Sequence, residues 1–323
     1  MTARGRDSNS GAPLTTRCDL CGSPDGHVLF TATDHREGLG GRFGLVRCDA
    51  CHLVRTDPQP QDLSAWYPSD YRSHAGERSA HARASTAALR YAARSHHWPP
   101  LARVLTWTIP AADIGPSVSP GSAILDVGAG SGAAVAALRG EGYDAWGVEP
   151  SASAVAIAHA AGRDTVVQGT LETSELATRT WDVVRFTHVL EHVPSPLTTL
   201  RVVSEVLAPG GHVVVVVPNF AGAGRLAFRA SWDALEVPRH LHHFTPATLT
   251  QTFAEAGLRV RSLRTAALFG SLPASIDAWT CKGRRQRGWS RSLAVKSVTY
   301  PLELALAACG IGDGLVAIGQ AAR

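Results

Sequence analysis

The chain has 323 residues, 45% of them hydrophobic and 18% charged, and a formal net charge of +4. That length calls for roughly two domains with a buried core, and that composition is the one found in soluble globular proteins. A surplus of four positive charges over 323 residues gives no support to nucleic-acid binding by bulk electrostatics, where a basic face is expected.

Residues 1–14 contain no apolar run, so they read as a disordered leader and not as a signal peptide, with the cytoplasm as default location. Residues 15–57 read as a zinc ribbon. Cys18-x-x-Cys21 and Cys48-x-x-Cys51 are separated by residues 22–47. Each pair can present two thiolates from one tight knuckle, and two knuckles close a tetrahedral zinc site of four cysteines. Strands are predicted over Val28–Ala32 and Phe43–Arg47, joined by a turn at Gly38–Gly41. Two disulfides suit a leaderless chain poorly, and a redox motif needs only one pair. Four protein thiolates leave no open position, so the ion is structural; it supplies folding free energy that so small a segment lacks. His27, His35 and His52 are then not needed as ligands.

Residues 58–120 read as a helical connector. A short helix is predicted at Asp62–Tyr67 and an alanine-rich one at His81–Arg94. Trp66, Tyr67 and Tyr71 either pack against the next domain or cap a bound cofactor. His96-His97 can be read as a metal pair or as plain surface.

From residue 121 the pattern becomes that of alternating buried strands and helices. Ile124–Val127 reads as a strand, Gly128, Gly130 and Gly132 follow at alternate positions, and Ala133–Leu138 reads as a helix. A glycine turn between strand and helix brings bare N–H groups and a helix N-terminus up to a ligand. The next strand, Ala145–Glu149, ends in an acid 21 positions after Gly128. That spacing suits a carboxylate accepting the hydroxyls of an adenosine ribose. Gly128, Gly130 and Ala133 also satisfy the dinucleotide fingerprint, whereas Asp126 and Gly132 point to another cofactor.

A helix is predicted over Pro150–Ala161, strands over Asp164–Gln168 and Trp181–Phe186, and a turn plus strand over Leu207–Asn219. Thr245 and Pro246 begin a helix that stops at Gly257, and Arg259–Arg264 is a further strand. Residues 266–312 read as a helical insertion or lid before the last strand at Gly314–Gln320. Its basic, Trp-bearing stretch Lys282–Arg291 lies beside apolar helices, which can form a lid, a dimer face or a peripheral membrane contact. Its apolar run is too short to span a bilayer, which takes about 20 residues.

Asp126-x-Gly128-x-Gly130-x-Gly132 resembles motif I of the class I S-adenosylmethionine-dependent methyltransferases. Thr187–Pro196 resembles the loop after strand four in the small-molecule branch of that family, and Leu207–Asn219 its turn and fifth strand. The resemblance covers residues 122–260. It implies an α/β fold, a doubly wound Rossmann-like methyltransferase sheet over residues 121–323, with S-adenosylmethionine as cofactor. Asp126 would face the methionine end, and Gly128, Ala129, Gly130 and Gly132 would pass beneath it. Glu149 and Pro150 would lie at the ribose, Leu171 beside the adenine, and Thr187 and Tyr71 would complete the pocket. Thr170 stands where the family usually has an Asp.

A general base is sought among His188, His240 and His243, because a histidine titrating near neutral suits proton removal from a hydroxyl or acidic carbon. His192 would brace its loop. Glu191 would hold His188 in one tautomer or make a helix-start contact. The Asn/Asp-Pro-Pro-aromatic motif of enzymes acting on base amines is absent after strand four. Paired knuckles ahead of such a domain are also similar to sugar and polysaccharide-pathway methyltransferases. The expected acceptor is thus an oxygen or carbon of a small or carrier-linked metabolite. A zinc-ribbon ribosomal-RNA methyltransferase and a non-catalytic cofactor-binding scaffold are the competing readings.

Overall fold

The computed structural model describes residues 16–67, 118–281 and 289–322. The expected leader, the helix at 81–94, Tyr71, the His96-His97 pair and most of the basic stretch at 282–291 lie outside the described residues.

A large sheet is built from β4 (Ala123–Val127), β5 (Asp144–Glu149), β6 (Val166–Gln168), β7 (Trp181–Thr187), β8 (Leu207–Pro218), β10 (Leu258–Ala266) and β11 (Gly314–Ala321). Its order is β10-β11-β8-β7-β4-β5-β6. The five strands from β8 to β6 are parallel, and β11 runs antiparallel between β8 and β10. Strand order reverses beside β4, the position at which such sheets leave a crevice outside the carboxyl ends of their strands.

Alternation along β8 shows how both faces are covered. Val213, Val215 and Val217 share a core with Leu200 and Val203 of α3 (Pro196–Val206) and Leu249 and Phe253 of α5 (Pro246–Glu255). Val214 and Val216 point the other way, into a core with Val135 and Leu138 of α1 (Ala133–Gly140). A strand buried on both faces is the continuous β-branched run expected of a central parallel strand. On β5, a Cβ at Gly147 would stand 2.5 Å from that of Ala129. Glycine there lets the strand approach the turn after β4. The helix α2 (Ala152–Ala160) follows β5, with the Ser151 hydroxyl accepting from Ala154 N–H as its cap.

The ribbon is a second sheet of order β1-β2-β3-β9, from β1 (Gly26–Ala32), β2 (Phe43–Cys48), β3 (Val54–Asp57) and β9 (His242–His243). Its last strand belongs to the connection after β8, pairing Val54 with His243 and Arg55 with His242. Further ties run the same way. Asp19 accepts from Leu197 N–H at the start of α3 (3.0 Å), and Phe43, Leu45 and Val54 pack with Trp232, Leu235 and Val237. The predicted helix at Asp62–Tyr67 is a single 3-10 turn at Ser64–Trp66; so few residues cannot offset the cost of helix nucleation.

The insertion before β11 is helical, with α6 (Ser271–Cys281) and α7 (Leu293–Ala308), and the short α4 (Ala223–Phe228) packs against α6. Helix α7 turns Leu293, Val298 and Leu302 outward, at 70%, 80% and 54% exposure, and buries Glu303. No helix among the described residues is long and apolar enough to cross a membrane. The Glu303 carboxylate accepts from Gly270 N–H (3.1 Å) and Leu272 N–H (3.0 Å). Burial nonetheless outweighs these bonds and lifts its pKa from the ordinary 4.5 to about 7.

Because the folded chain holds that proton more tightly than the unfolded chain, the associated stability is complete below pH 4.5 and lost as pH rises through about 7. Melting temperatures of wild type and Glu303→Gln measured from pH 4 to 8 should therefore diverge upward in pH, with wild type falling relative to the variant. Parallel curves would place the titrating group elsewhere.

Candidate functional site

The glycine turn lies at the carboxyl ends of β4, β5 and β7, where the strand order reverses. Gly128, Gly130 and Gly132 all have left-handed backbones, with φ of 70°, 55° and 72°, a region that side chains with a Cβ disfavour. At Gly128 an added Cβ would stand 2.4 Å from the Val189 side chain, so the loop after β7 closes directly over the first glycine. The Glu149 carboxylate lies beside the second. Its Oε2 accepts from Gly130 N–H (2.8 Å) and its Oε1 from Ser151 N–H (2.9 Å). The acid at the tip of β5 thus holds the turn after β4.

Asp126, expected to face a methionine end, has a partner inside the sheet. It is buried and paired with Arg185 of the neighbouring β7 at 3.1 Å, and Arg185 also donates to the Thr187 hydroxyl (3.0 Å). Leu171 is fully buried in the core beside Val148 and Leu176. Pro150 follows Glu149 at the strand tip.

The candidate histidines fall into two groups. His188, with a left-handed φ of 56°, stands at the end of β7 with its side chain 41% exposed. Its Nδ1 is 3.5 Å from Glu191 Oε1. His240 is buried, donates from Nδ1 to the Ala234 carbonyl (2.9 Å), and turns Nε2 toward Glu191 Oε1 (3.9 Å) and Glu236 Oε2 (3.7 Å). Burial, reinforced by His192, pushes its pKa well below the ordinary histidine value despite Glu236. His192 meets Tyr67 Oη (2.9 Å) and the Arg239 carbonyl (3.1 Å) through Nδ1. Nδ1 of His192 thus stands between a hydroxyl that can donate to it and a carbonyl that can only accept from it.

His243 sits apart, in the ribbon joint. The Thr56 hydroxyl donates to the His240 carbonyl (2.6 Å), which leaves its oxygen to accept from His243 Nε2 (3.0 Å). Burial takes the His243 pKa down to about 3. Glu236 is a group that sequence reasoning missed. Burial opposes its ionisation, but Arg36, with His240 and Arg239, overrides that and holds the carboxyl far below the usual range. Arg36 also binds Asp233 (2.8 Å), and Arg239 also binds Asp34 (2.8 Å). Only the pairing of ribbon and catalytic sheet brings these charges together, so no local motif signals them.

In the ribbon, the Sγ atoms of Cys18, Cys21, Cys48 and Cys51 all lie within 4.8 Å of one another, with Cys18–Cys51 at 3.4 Å and Cys21–Cys48 at 3.5 Å. Zinc–sulfur bonds of about 2.3 Å place tetrahedral sulfurs about 3.8 Å apart, so the set fits a zinc ion. Burial pushes the Cys18 thiol up to about 11. At Cys48 burial acts the same way, but the N–H groups of Cys51 and Ala50 outweigh it and bring the thiol to about 7.

The Asp126–Arg185 pair makes a clear prediction. Asp126→Ala leaves a buried guanidinium uncompensated, a loss of about 3–5 kcal/mol, to be read as a drop in the urea midpoint without cofactor. An acid needed only for cofactor contact would leave that midpoint in place.

The chain resembles known proteins over part of its length. The family described as "Methyltransferase domain" matches residues 96–263. Among curated relatives, the ubiquinone biosynthesis O-methyltransferase of Aliivibrio fischeri is 34% identical over 99 residues, 29% of this chain and 42% of that protein. The protein of the same name from Pectobacterium atrosepticum is 31% identical over 155 residues, 44% of this chain and 64% of that one. The chain therefore spans only part of the length of these relatives. A solved S-adenosylmethionine-dependent methyltransferase from Mesorhizobium loti aligns over 64% of this chain and 93% of its own, with 20% identity and a TM-score of 0.44. With more than half of its residues inside the family match and the strand order described above, the chain belongs to the S-adenosylmethionine-dependent methyltransferase family.

Proposed function

We propose that the protein transfers the methyl group of S-adenosylmethionine to an oxygen or carbon of a small or carrier-linked metabolite. The observation that carries this reading is the Glu149 carboxylate, clamped by Gly130 N–H and Ser151 N–H where β4 and β5 end. An adenosine lying over Gly128–Gly132 would meet that carboxylate with its ribose hydroxyls. Its sulfonium would then point along the turn toward the end of β7, where His188 stands in the open part of the crevice.

The acceptor's proton passes to His188, and its oxygen or carbon attacks the methyl carbon. The carbon–sulfur bond breaks with its electron pair left on sulfur, giving S-adenosylhomocysteine. Holding nucleophile and methyl in line supplies most of the acceleration, up to about 7–11 kcal/mol for ideal orientation. The names of the curated relatives favour oxygen. His240 supports the site from behind Glu191, and His243 is assigned to the ribbon joint. The ribbon's four thiolates hold a structural zinc that braces the segment after β8 through the β3–β9 pairing.

Calorimetry should show S-adenosylhomocysteine binding that Gly130→Arg abolishes. His188→Ala should keep that affinity and lower turnover of a co-purified acceptor by about 10²–10⁴-fold, the usual worth of a general base. Binding unaltered by Gly130→Arg would displace the cofactor from this turn.

A further inference from the structure

Glu191 is 1% exposed, and neither of its carboxylate oxygens has a hydrogen-bond partner among the described residues. A buried carboxylate left in this state is costly. His188 Nδ1 stands 3.5 Å and His240 Nε2 3.9 Å from its Oε1, and His192, His240 and Glu191 each offer a ligand atom, all within 4.8 Å of one another. His240 gives its Nδ1 proton to the Ala234 carbonyl. Its Nε2 is thereby left as a bare nitrogen backed by a carbonyl, the arrangement that orients metal-bound histidines.

The backbone fixes the three residues together. The Glu191 carbonyl accepts from Leu241 N–H (2.8 Å) and His242 N–H (3.1 Å), so the loop after β7 and the segment before β9 cannot separate without breaking both. Charge points the same way. Before any histidine is counted, the described residues of the cluster include four carboxylates, Asp34, Glu191, Asp233 and Glu236, and two guanidiniums, Arg36 and Arg239. The two arginines are engaged with Asp34, Asp233 and Glu236.

We infer that Glu191, His192 and His240 bind a divalent first-row cation. Two imidazoles and one carboxylate are a donor set that such ions accept while keeping open positions. Those positions would face the oxygens of the methyl acceptor; that last step rests on the methyl-transfer reading above, whereas binding of the ion does not.

The test uses the full chain with its four-cysteine site filled by zinc, titrated with Co2+ alone and followed by visible absorption and metal analysis. One Co2+ per chain should bind beyond the zinc, giving the weak bands of nitrogen and oxygen ligands without a thiolate charge-transfer band. Glu191→Gln and His192→Gln, checked for native circular dichroism, should each weaken that binding at least tenfold and leave the zinc in place. No uptake by wild type, or uptake indifferent to both substitutions, overturns the inference. S-adenosylhomocysteine binding is read in the same samples. Its absence alongside Co2+ uptake would sink the methyl-transfer reading and leave the ion site standing.

Discussion

The crevice depends on one carboxylate. Glu149 ends β5, yet its two oxygens reach across to Gly130 N–H and forward to Ser151 N–H. Bonds from backbone N–H to an ionised oxygen are among the stronger ones in proteins, and here they fix a turn whose three glycines have no conformational preference of their own. The close approach at Gly147 brings β5 near enough for the reach. Remove the acid, and the turn loses both its shape and the acceptor its ligand would find there.

A second constraint sits at the ribbon joint. The ribbon supplies three strands to a sheet whose fourth, β9, comes from the catalytic half. That pairing commits His242 and His243 to the joint, with His242 Nε2 donating to the Pro194 carbonyl (3.2 Å) and His243 to Thr56. It also delivers Asp34 and Arg36 from the ribbon to Arg239 and Glu236, producing the buried charge around His240. The ribbon is thus tied by charge and strand pairing to the segment that carries His240.

Much of the sheet was legible in the residues because its strands are long β-branched runs and its turn is spaced by glycine. Val213–Val217 could hardly be anything but a central strand, and Cys18, Cys21, Cys48 and Cys51 announce their geometry by spacing. Two short strands, β3 and β9, were not legible. A two-residue strand carries no period, and the partner of Val54 is His243, in a distant part of the chain. The histidine run at 240–243 looked uniform in sequence. Its residues diverge because His240 closes a turn, its N–H donating to the Glu236 carbonyl, and faces Glu191, whereas His243 lies in β9 and faces Thr56. Asp126 shows the converse: an acid at a motif position whose charge is taken by Arg185, one strand over.

The central claim, that Glu149 holds the ribose of the bound nucleoside, is tested most directly by a thermodynamic cycle. S-adenosylhomocysteine and its 2′-deoxy counterpart would each be titrated calorimetrically into wild type and Glu149→Gln. Loss of the hydroxyl should weaken binding to wild type by about tenfold or more, the worth of one charge-assisted hydrogen bond, and should cost the variant little further. An equal loss in both proteins would show that the hydroxyl and this carboxylate never meet.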